Sequence, residues 1–406
     1  MRETNPKGSE KLIKGITWGH SRGYTPLVAA AQRWSELHPD TTITWEKRSL
    51  QQFADYPIEK LTRVYDLLII DHPWVGTAAE WKGVLPLDQY LTSEYLKDQA
   101  DNTVGGSHRS YHYGGHQWAL AIDAATPVAS YRPDLLAAAG HPLPETWEEV
   151  LALAAKGRVA VPAIPIDLLM NFYMFCIAHG AEPFQNEATV IDPGTGKAAL
   201  ETMQQLYSAI DKKCFHANPI AVAELMTTTD DYWYCPFAYG YSNYARTGYA
   251  RHRLAYTDLV TYLHRPGGAT STTGATHTRL RSTIGGTGLA ISASARHAPE
   301  ALAFAQWIAG GPVQSTFYAE HGGQPGHRSA WTDEHLNNLT HNYFTNTLPA
   351  MERSYVRPRY AGYLYFQDHA GDPIQEYLLN KRDAKSTLRT LDHLYQDSLT
   401  KHPLEA

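Results

Sequence analysis

Cysteine is scarce in this chain. Three stand among 406 residues, Cys176, Cys214 and Cys235, widely separated and odd in number. They offer no disulfide framework and suit a reducing compartment. Long apolar runs are missing as well: no segment approaches the roughly 18–20 consecutive apolar residues of a membrane span, so membrane insertion is not expected. Basic runs are absent too, and the net charge is −6 with a pI near 6.4. A nucleic-acid partner, whose phosphates demand clustered Lys and Arg, is thereby excluded. Around Gly285, Gly286 and Gly288 the spacing fits neither the phosphate-binding G-x-x-x-x-G-K-S/T loop nor G-x-G-x-x-G, and the H-E-x-x-H metal pattern does not occur. His108, His112 and His116 are four apart, but Gly114 and Gly115 break any helix that would align them, and no cysteine or carboxylate completes a ligand set. They read as solvated or hydrogen-bonded histidines, with no metal and no cofactor. The first residues carry no apolar core of the roughly 7–15 residues of an export signal and no lipobox cysteine. If Met1 is the native start, the expectation is a cytosolic protein.

What is present supports two cores. At 406 residues and 43% hydrophobic, the chain divides more readily than it enlarges one core. Lys11–Trp18 reads as a first strand, and the loop Gly19, His20, Ser21, Arg22, Gly23, Tyr24 leads to Thr25 and Pro26, read as N-cap and first-turn proline of a helix to about Leu37. A second strand, residues 42–46, ends in Lys47 and Arg48. The apolar run from Tyr65 to Ile70 reads as a buried parallel strand with Asp71, His72 and Trp74 at its C-terminal end. Open α/β sheets bind ligands at such strand ends, where free helix N–H groups face the crevice. Three strand ends thus bring polar and aromatic groups to one edge. Further on, residues 158–163 are expected as a strand, 168–179 and 197–212 as helices, 264–279 as a loop rich in Gly and Thr, and 334–402 as mostly helical.

From Gly115 to Ala155 the pattern changes period twice. Trp118, Leu120 and Ile122 alternate with small residues, Asp123 follows at the strand end, and Val128 to Tyr131 forms a second strand. A short helix then stops at Gly140, and Thr146, with Glu148 and Glu149 behind it, caps the next. Tyr131, Arg132, Asp134, Leu135 and Gly140, followed by Pro144, Thr146, Trp147 and Glu149, resemble the Y-R-x-D-L-x-x-x-G and P-x-T-W-x-E motifs of the carbohydrate-type family 1 extracellular solute-binding proteins of ABC importers. Ala121 stands where that family usually has a proline. Gly83 to Tyr90 resembles its G-x-L-x-P-L-D segment, and Ser282 to Ser292 with Pro299 and Ala301 resembles its glycine-led strand and P-E-A-A helix.

The resemblance implies an α/β, two-lobed, periplasmic-binding-protein-like fold whose discontinuous lobes are joined by hinge crossovers near Asp123, Gly274 and Gly323. The lobes are expected at 11–123 plus 275–323 and at 124–274 plus 324–406. It implies a monomer outside the cytoplasm that binds a small polar solute, a sugar or acidic sugar derivative, in an interlobe cleft and passes it to an ABC permease. The candidate contacts are His20, Ser21, Arg22, Lys47, Arg48, Asp71, His72, Trp74 and Asp123 from the strand ends, with Trp233, Tyr239 and Tyr241 supplied by the family's aromatic strand. Gly285 and Gly286 are read as a close backbone approach, and Gln324 and Arg328 lie at the last return. Cations gather at this edge, so an anionic group on the ligand is expected, with Arg22 as its main contact. The alternative is a cytosolic enzyme or ligand sensor on the same fold, acting on a small polar metabolite. It would draw on His20 with Asp71, on His72 with Asp123, or on Cys235, for which no base is identifiable. A hinge, aromatic platforms and convergent polar groups favour a non-catalytic binder.

Overall fold

The computed structural model describes residues 10–49, 58–264 and 275–400. Their contacts divide the chain into two compact units, Met1–Ala124 with Gly285–Leu336 and Ala125–Ile284 with Asn337–Ala406. In chain order the strands are Lys11–Trp18 (β1), Thr41–Arg48 (β2), Leu67–Ile70 (β3), His112–Tyr113 (β4), His116–Gln117 (β5), Leu120–Ala125 (β6), Pro127–Tyr131 (β7), Tyr234–Tyr239 (β8), Ala255–Thr257 (β9), Thr261–His264 (β10), Thr276–Arg279 (β11) and Gly285–Ile291 (β12). The chain changes unit after Ala124, Ile284 and Leu336. Gly274, where the second crossover is expected, lies outside the described residues. Beyond Gly323 the backbone stays with the first unit, because Ala124 N donates to Gln324 O at 3.0 Å and Gly326 N to Ile122 O at 3.2 Å.

The first unit is built on a sheet of order β2-β1-β3-β12-β6. β1 runs parallel to β2 and β3, and β12 is antiparallel to β3. All four residues of β3 are buried, as a strand covered on both faces requires. Ile13, Trp18, Ile43, Leu67 and Ile69 share one core with Leu27, Ala30 and Trp34 of the helix Ser21–Leu37 and with Phe304, Ala305 and Ile308 of the helix Ala298–Ala309. Each large apolar side chain buried there contributes roughly 1.5–3 kcal/mol.

The first helix begins five residues earlier than the sequence suggests. His20 is its N-cap, its Nδ1 accepting from Arg22 N at 3.0 Å, and Pro26 lies inside the helix. Pro26 removes one helical hydrogen bond there, but Gly23 makes the early start possible. A Cβ on Gly23 would lie 2.3 Å from the Trp18 indole, so only glycine lets the first turn close onto β1.

The second unit carries the antiparallel sheet β8-β7-β9 among helices. Thr146 caps the helix Trp147–Ala155 in a capping box: Thr146 Oγ1 accepts from Glu149 N at 3.3 Å, and Glu149 returns a carboxylate oxygen to Thr146 N at 3.1 Å. The helix Pro165–Ala178 is apolar on nearly every side and is correspondingly enclosed. Residues 158–163 do not form the expected strand. Val159 makes one isolated parallel bridge to Tyr234, while Ala163 N turns to the carbonyls of Cys214 and Ala217. Residues 276–279, expected as loop, are β11, whose register with β10 pairs Thr261 with Arg279 and His264 with Thr276. Among the described residues no helix is long and apolar enough to cross a membrane.

Candidate functional site

The C-terminal ends of β1, β2 and β3 lie along one edge of the first unit's sheet, because β1 is parallel to both neighbours. β1 delivers Gly19, His20 and Ser21. Gly19 N donates to Arg48 O at 2.7 Å, so the loop after β1 is tied to the end of β2. Lys47 is exposed, its Nζ 5.1 Å above the Tyr24 ring, and Arg48 is half-buried. At the end of β3, Asp71 caps the single turn His72–Trp74: its Oδ1 accepts from His72 N at 2.8 Å and lies 3.1 Å from His72 Nδ1. His72 is fully buried and Trp74 is 8% exposed, so Trp74 is packed in rather than offered as an open platform.

Arg22 and Asp123 are brought together and engage each other. Arg22 Nε donates to Asp123 Oδ2 at 2.8 Å and Nη2 donates to Oδ1, forming a forked pair with both side chains almost wholly buried. The guanidinium charge is answered within the protein, which removes the ground for making Arg22 the main anion contact. Burial pushes the Asp123 carboxyl up, against the pull of Arg22 and of the backbone N–H groups of Gln324 and Thr287. Burial, and then the Arg22 charge, push His20 down to about 4, which keeps its ring neutral and its Nδ1 an acceptor. Gly286 and Gln324 join the same knot. Gly286 has φ +94, and a Cβ there would stand 2.3 Å from Asp123 O, so the close approach expected at Gly285 and Gly286 is to the protein's own β6. Gln324 is buried and donates from Nε2 to Ala124 O at 2.8 Å. Arg328 is half-buried and begins the short helix Arg328–Trp331.

In the second unit the aromatic candidates separate. Tyr239 pairs with Pro127 at one end of β8, and Tyr234 pairs with Tyr131 at the other. Trp233 precedes Tyr234, so it sits about six strand residues, roughly 20 Å, from Tyr239. There Arg158 covers its ring at 4.8 Å and its Nε1 donates to Asp230 O at 3.1 Å. Trp233 is therefore a sheet-end packing residue and not a companion of Tyr239. The Tyr239 hydroxyl is 2.8 Å from Thr283 Oγ1, and Tyr241 is buried, its carbonyl accepting from Tyr256 Oη at 3.1 Å. Thr283 belongs with Tyr239, yet no spacing in the sequence marks it.

The carboxylates invoked for catalysis have partners within their own unit. Asp71 is engaged by His72 and Asp123 by Arg22. Cys235 is fully buried, and burial pushes its thiol up, which leaves the unreactive protonated form. His116 Nδ1 lies 2.9 Å from Asp88 Oδ2 on the β4–β5 hairpin, and among the described residues no group of three side chains could hold a metal ion.

A family model described as bacterial extracellular solute-binding protein matches residues 18–314. The chain belongs to that family. Among solved structures, this solute-binding protein is similar to maltose-bound MalE3 of T. maritima, with a TM-score of 0.80 at 16% identity over 95% of this chain and 99% of that one. It is likewise similar to an ABC transporter solute-binding protein of Agrobacterium radiobacter in complex with ribitol (TM-score 0.76, 18% identity, 96% and 99% covered). A third is the maltotriose-bound MalE domain of Bdellovibrio bacteriovorus (TM-score 0.75, 15% identity, 96% and 100% covered). At these identities the likeness is one of fold, the two-lobed periplasmic-binding-protein type that the sequence motifs imply.

Proposed function

We propose that this solute-binding protein takes up a small polar solute of carbohydrate type, a sugar or sugar derivative, outside the cytoplasm and presents it as a single chain to an ABC permease. The observation that carries the reading is the family match over residues 18–314, supported by neighbours of the same fold that hold maltose, maltotriose and ribitol. The contacts proposed in the first unit are Ser21, Lys47, Arg48 and Asp71, which share one sheet edge. In the second unit the proposed contact is Tyr239, with the buried Tyr241 proposed to support it. Arg22, Asp123, Gly286 and Gln324 are proposed to hold that edge in shape, and His72 and Trp74 to pack beneath it.

Titration calorimetry of the full chain against a panel of mono- and disaccharides, polyols and sugar acids tests the reading. Saturable one-to-one binding of at least one member, weakened by Asp71→Ala, is the expected result. A panel without any saturable heat, in a protein shown to be folded, would sink it. Recovery of the native protein in an extracytoplasmic fraction tests the compartment.

A further inference from the structure

Thr283 is fully buried in the second unit, and its backbone is held on two sides. Its carbonyl accepts from Thr126 Oγ1 at 2.9 Å. On the other side it makes a parallel bridge to Tyr355, where Ile284 N donates to Tyr355 O at 2.7 Å and Tyr355 N donates to Ser282 O at 2.8 Å. Tyr239 is placed by the same neighbours, because it pairs with Pro127 on β7 while Gly240 N donates to Thr126 O at 3.3 Å. The two hydroxyls therefore meet on a frame built from backbone, with Tyr239 Oη 2.8 Å from Thr283 Oγ1.

Either oxygen has the chemistry to donate across that distance, and burial decides between them. Among the described residues, Tyr239 Oη is the hydrogen-bond partner of Thr283 Oγ1, and no other group accepts the Thr283 proton. If Tyr239 donated, that proton would be buried without an acceptor, which costs more than leaving a hydroxyl lone pair unused. Thr283 therefore donates and Tyr239 accepts. A phenol carries one proton and two lone pairs, so the Tyr239 proton is turned away from Thr283, on a side chain that is only half-buried. We infer that Thr283 is a positioning residue for solute recognition: by occupying one lone pair of the Tyr239 hydroxyl, it fixes that phenol as a hydrogen-bond donor. The second unit then meets the solute with a donor and selects an acceptor oxygen on it. The inference deepens the proposed function and rests on it for the contact between Tyr239 and the solute, whereas the direction of the Thr283 to Tyr239 bond rests on burial.

Two measurements on the full chain test it, for wild type, Thr283→Val, Thr283→Ser, Tyr239→Phe and the double variant Thr283→Val with Tyr239→Phe. Thermal unfolding midpoints serve as the control for folding. Valine keeps the shape of threonine without its hydroxyl, and serine keeps the hydroxyl. Ultraviolet resonance Raman of the tyrosine Fermi doublet, taken as the difference with and without Tyr239→Phe, reports whether the Tyr239 oxygen accepts a hydrogen bond. It should do so in wild type and cease to do so in Thr283→Val, and an unchanged doublet overturns the inference. Titration calorimetry with glucose, maltose, ribitol and glucuronate supplies the second measurement. Thr283→Val should weaken whichever of these wild type binds by about threefold to tenfold, the range of one neutral hydrogen bond. Thr283→Ser should keep wild-type affinity, and Thr283→Val should cost nothing further once Tyr239→Phe is present. Wild-type affinity in Thr283→Val, or losses that simply add in the double variant, overturn the inference while leaving the solute-binding reading intact. A folded wild type silent toward all four probes defeats that reading, and with it the assignment of Tyr239 as a donor to the solute.

Discussion

Arg22 shows how burial changes the meaning of a charged residue. Its side chain is 4% exposed and that of Asp123 is 0%, so each charge depends on the other. Removing one partner leaves the other uncompensated in a low-dielectric site, which costs roughly 3–5 kcal/mol, whereas replacing both by apolar groups costs much less. Arg22→Met and Asp123→Leu are each expected to lower the urea unfolding free energy by about that amount, and the double variant to recover most of it. Single variants that lose less than about 1 kcal/mol would show the pair to be dispensable. Lys47→Ala, at an exposed position, should stay within about 0.5 kcal/mol of wild type. The sequence marks both Arg22 and Asp123 as chemistry at strand ends. It does not reveal that they meet across 101 residues, because β1 and β6 are not neighbours in the sheet and no local spacing encodes the contact.

Among elements, those with strong local signals are legible and those decided by distant partners are not. β1 is readable from end to end, and Thr146 announces its helix because a capping box is written in four consecutive residues. The start of the first helix is misread because Thr25-Pro26 imitates an N-terminus, while the deciding contact, Gly23 against Trp18, is tertiary. Residues 158–163 have strand-like composition but find only one bridge, and Trp233 has the right residue type at the wrong end of β8. Two substitutions separate local from tertiary control. Thr146→Ala should cost roughly 0.5–2 kcal/mol, the value of an N-cap. Gly286→Ala combines a left-handed backbone with a clash onto Asp123 O, and it should cost roughly 3 kcal/mol or more. Denaturant titration of both variants checks the order, and a milder effect at Gly286 would contradict the close packing of β12 on β6.

At the scale of the whole molecule, buried titratable groups set how stability follows pH. Burial pushes His20, His108 and His179 each down to about 4. Below the ordinary histidine value near 6.5 the unfolded chain takes up protons that the folded chain refuses until about pH 4, so stability is lost as pH falls through that window. Asp167 leans the other way. Burial in the second unit pushes its carboxyl up to about 8, and its Oδ2 meets no hydrogen-bond partner. The folded chain therefore keeps a proton that the unfolded chain releases above about pH 4, and this contribution erodes as pH rises toward 8. Urea unfolding at pH 4.5, 6.5 and 8.5 should show lower stability at pH 4.5 than at 6.5 for the first unit, which contains His20 and His108. Asp167→Asn should raise stability at pH 8.5 by on the order of 1–3 kcal/mol and change little near pH 4. An equal effect at both ends of the range would mean that Asp167 is ionised throughout.

The sheet order also has a consequence for how the polypeptide is made. β12 lies between β3 and β6, yet about 160 residues separate it from the end of β6 in the chain. A ribosome adding roughly 5–20 residues each second needs on the order of 8–30 s to cover that interval. Throughout it β3 presents Leu67–Ile70 as an open apolar edge, the kind of template on which nascent chains aggregate. Nascent chains stalled before Gly285 should therefore be cut readily by protease within residues 10–124 and should retain a chaperone. Those stalled after Ile291 has cleared the exit tunnel should become resistant, so the first half of the protein matures only after most of the second half has been translated.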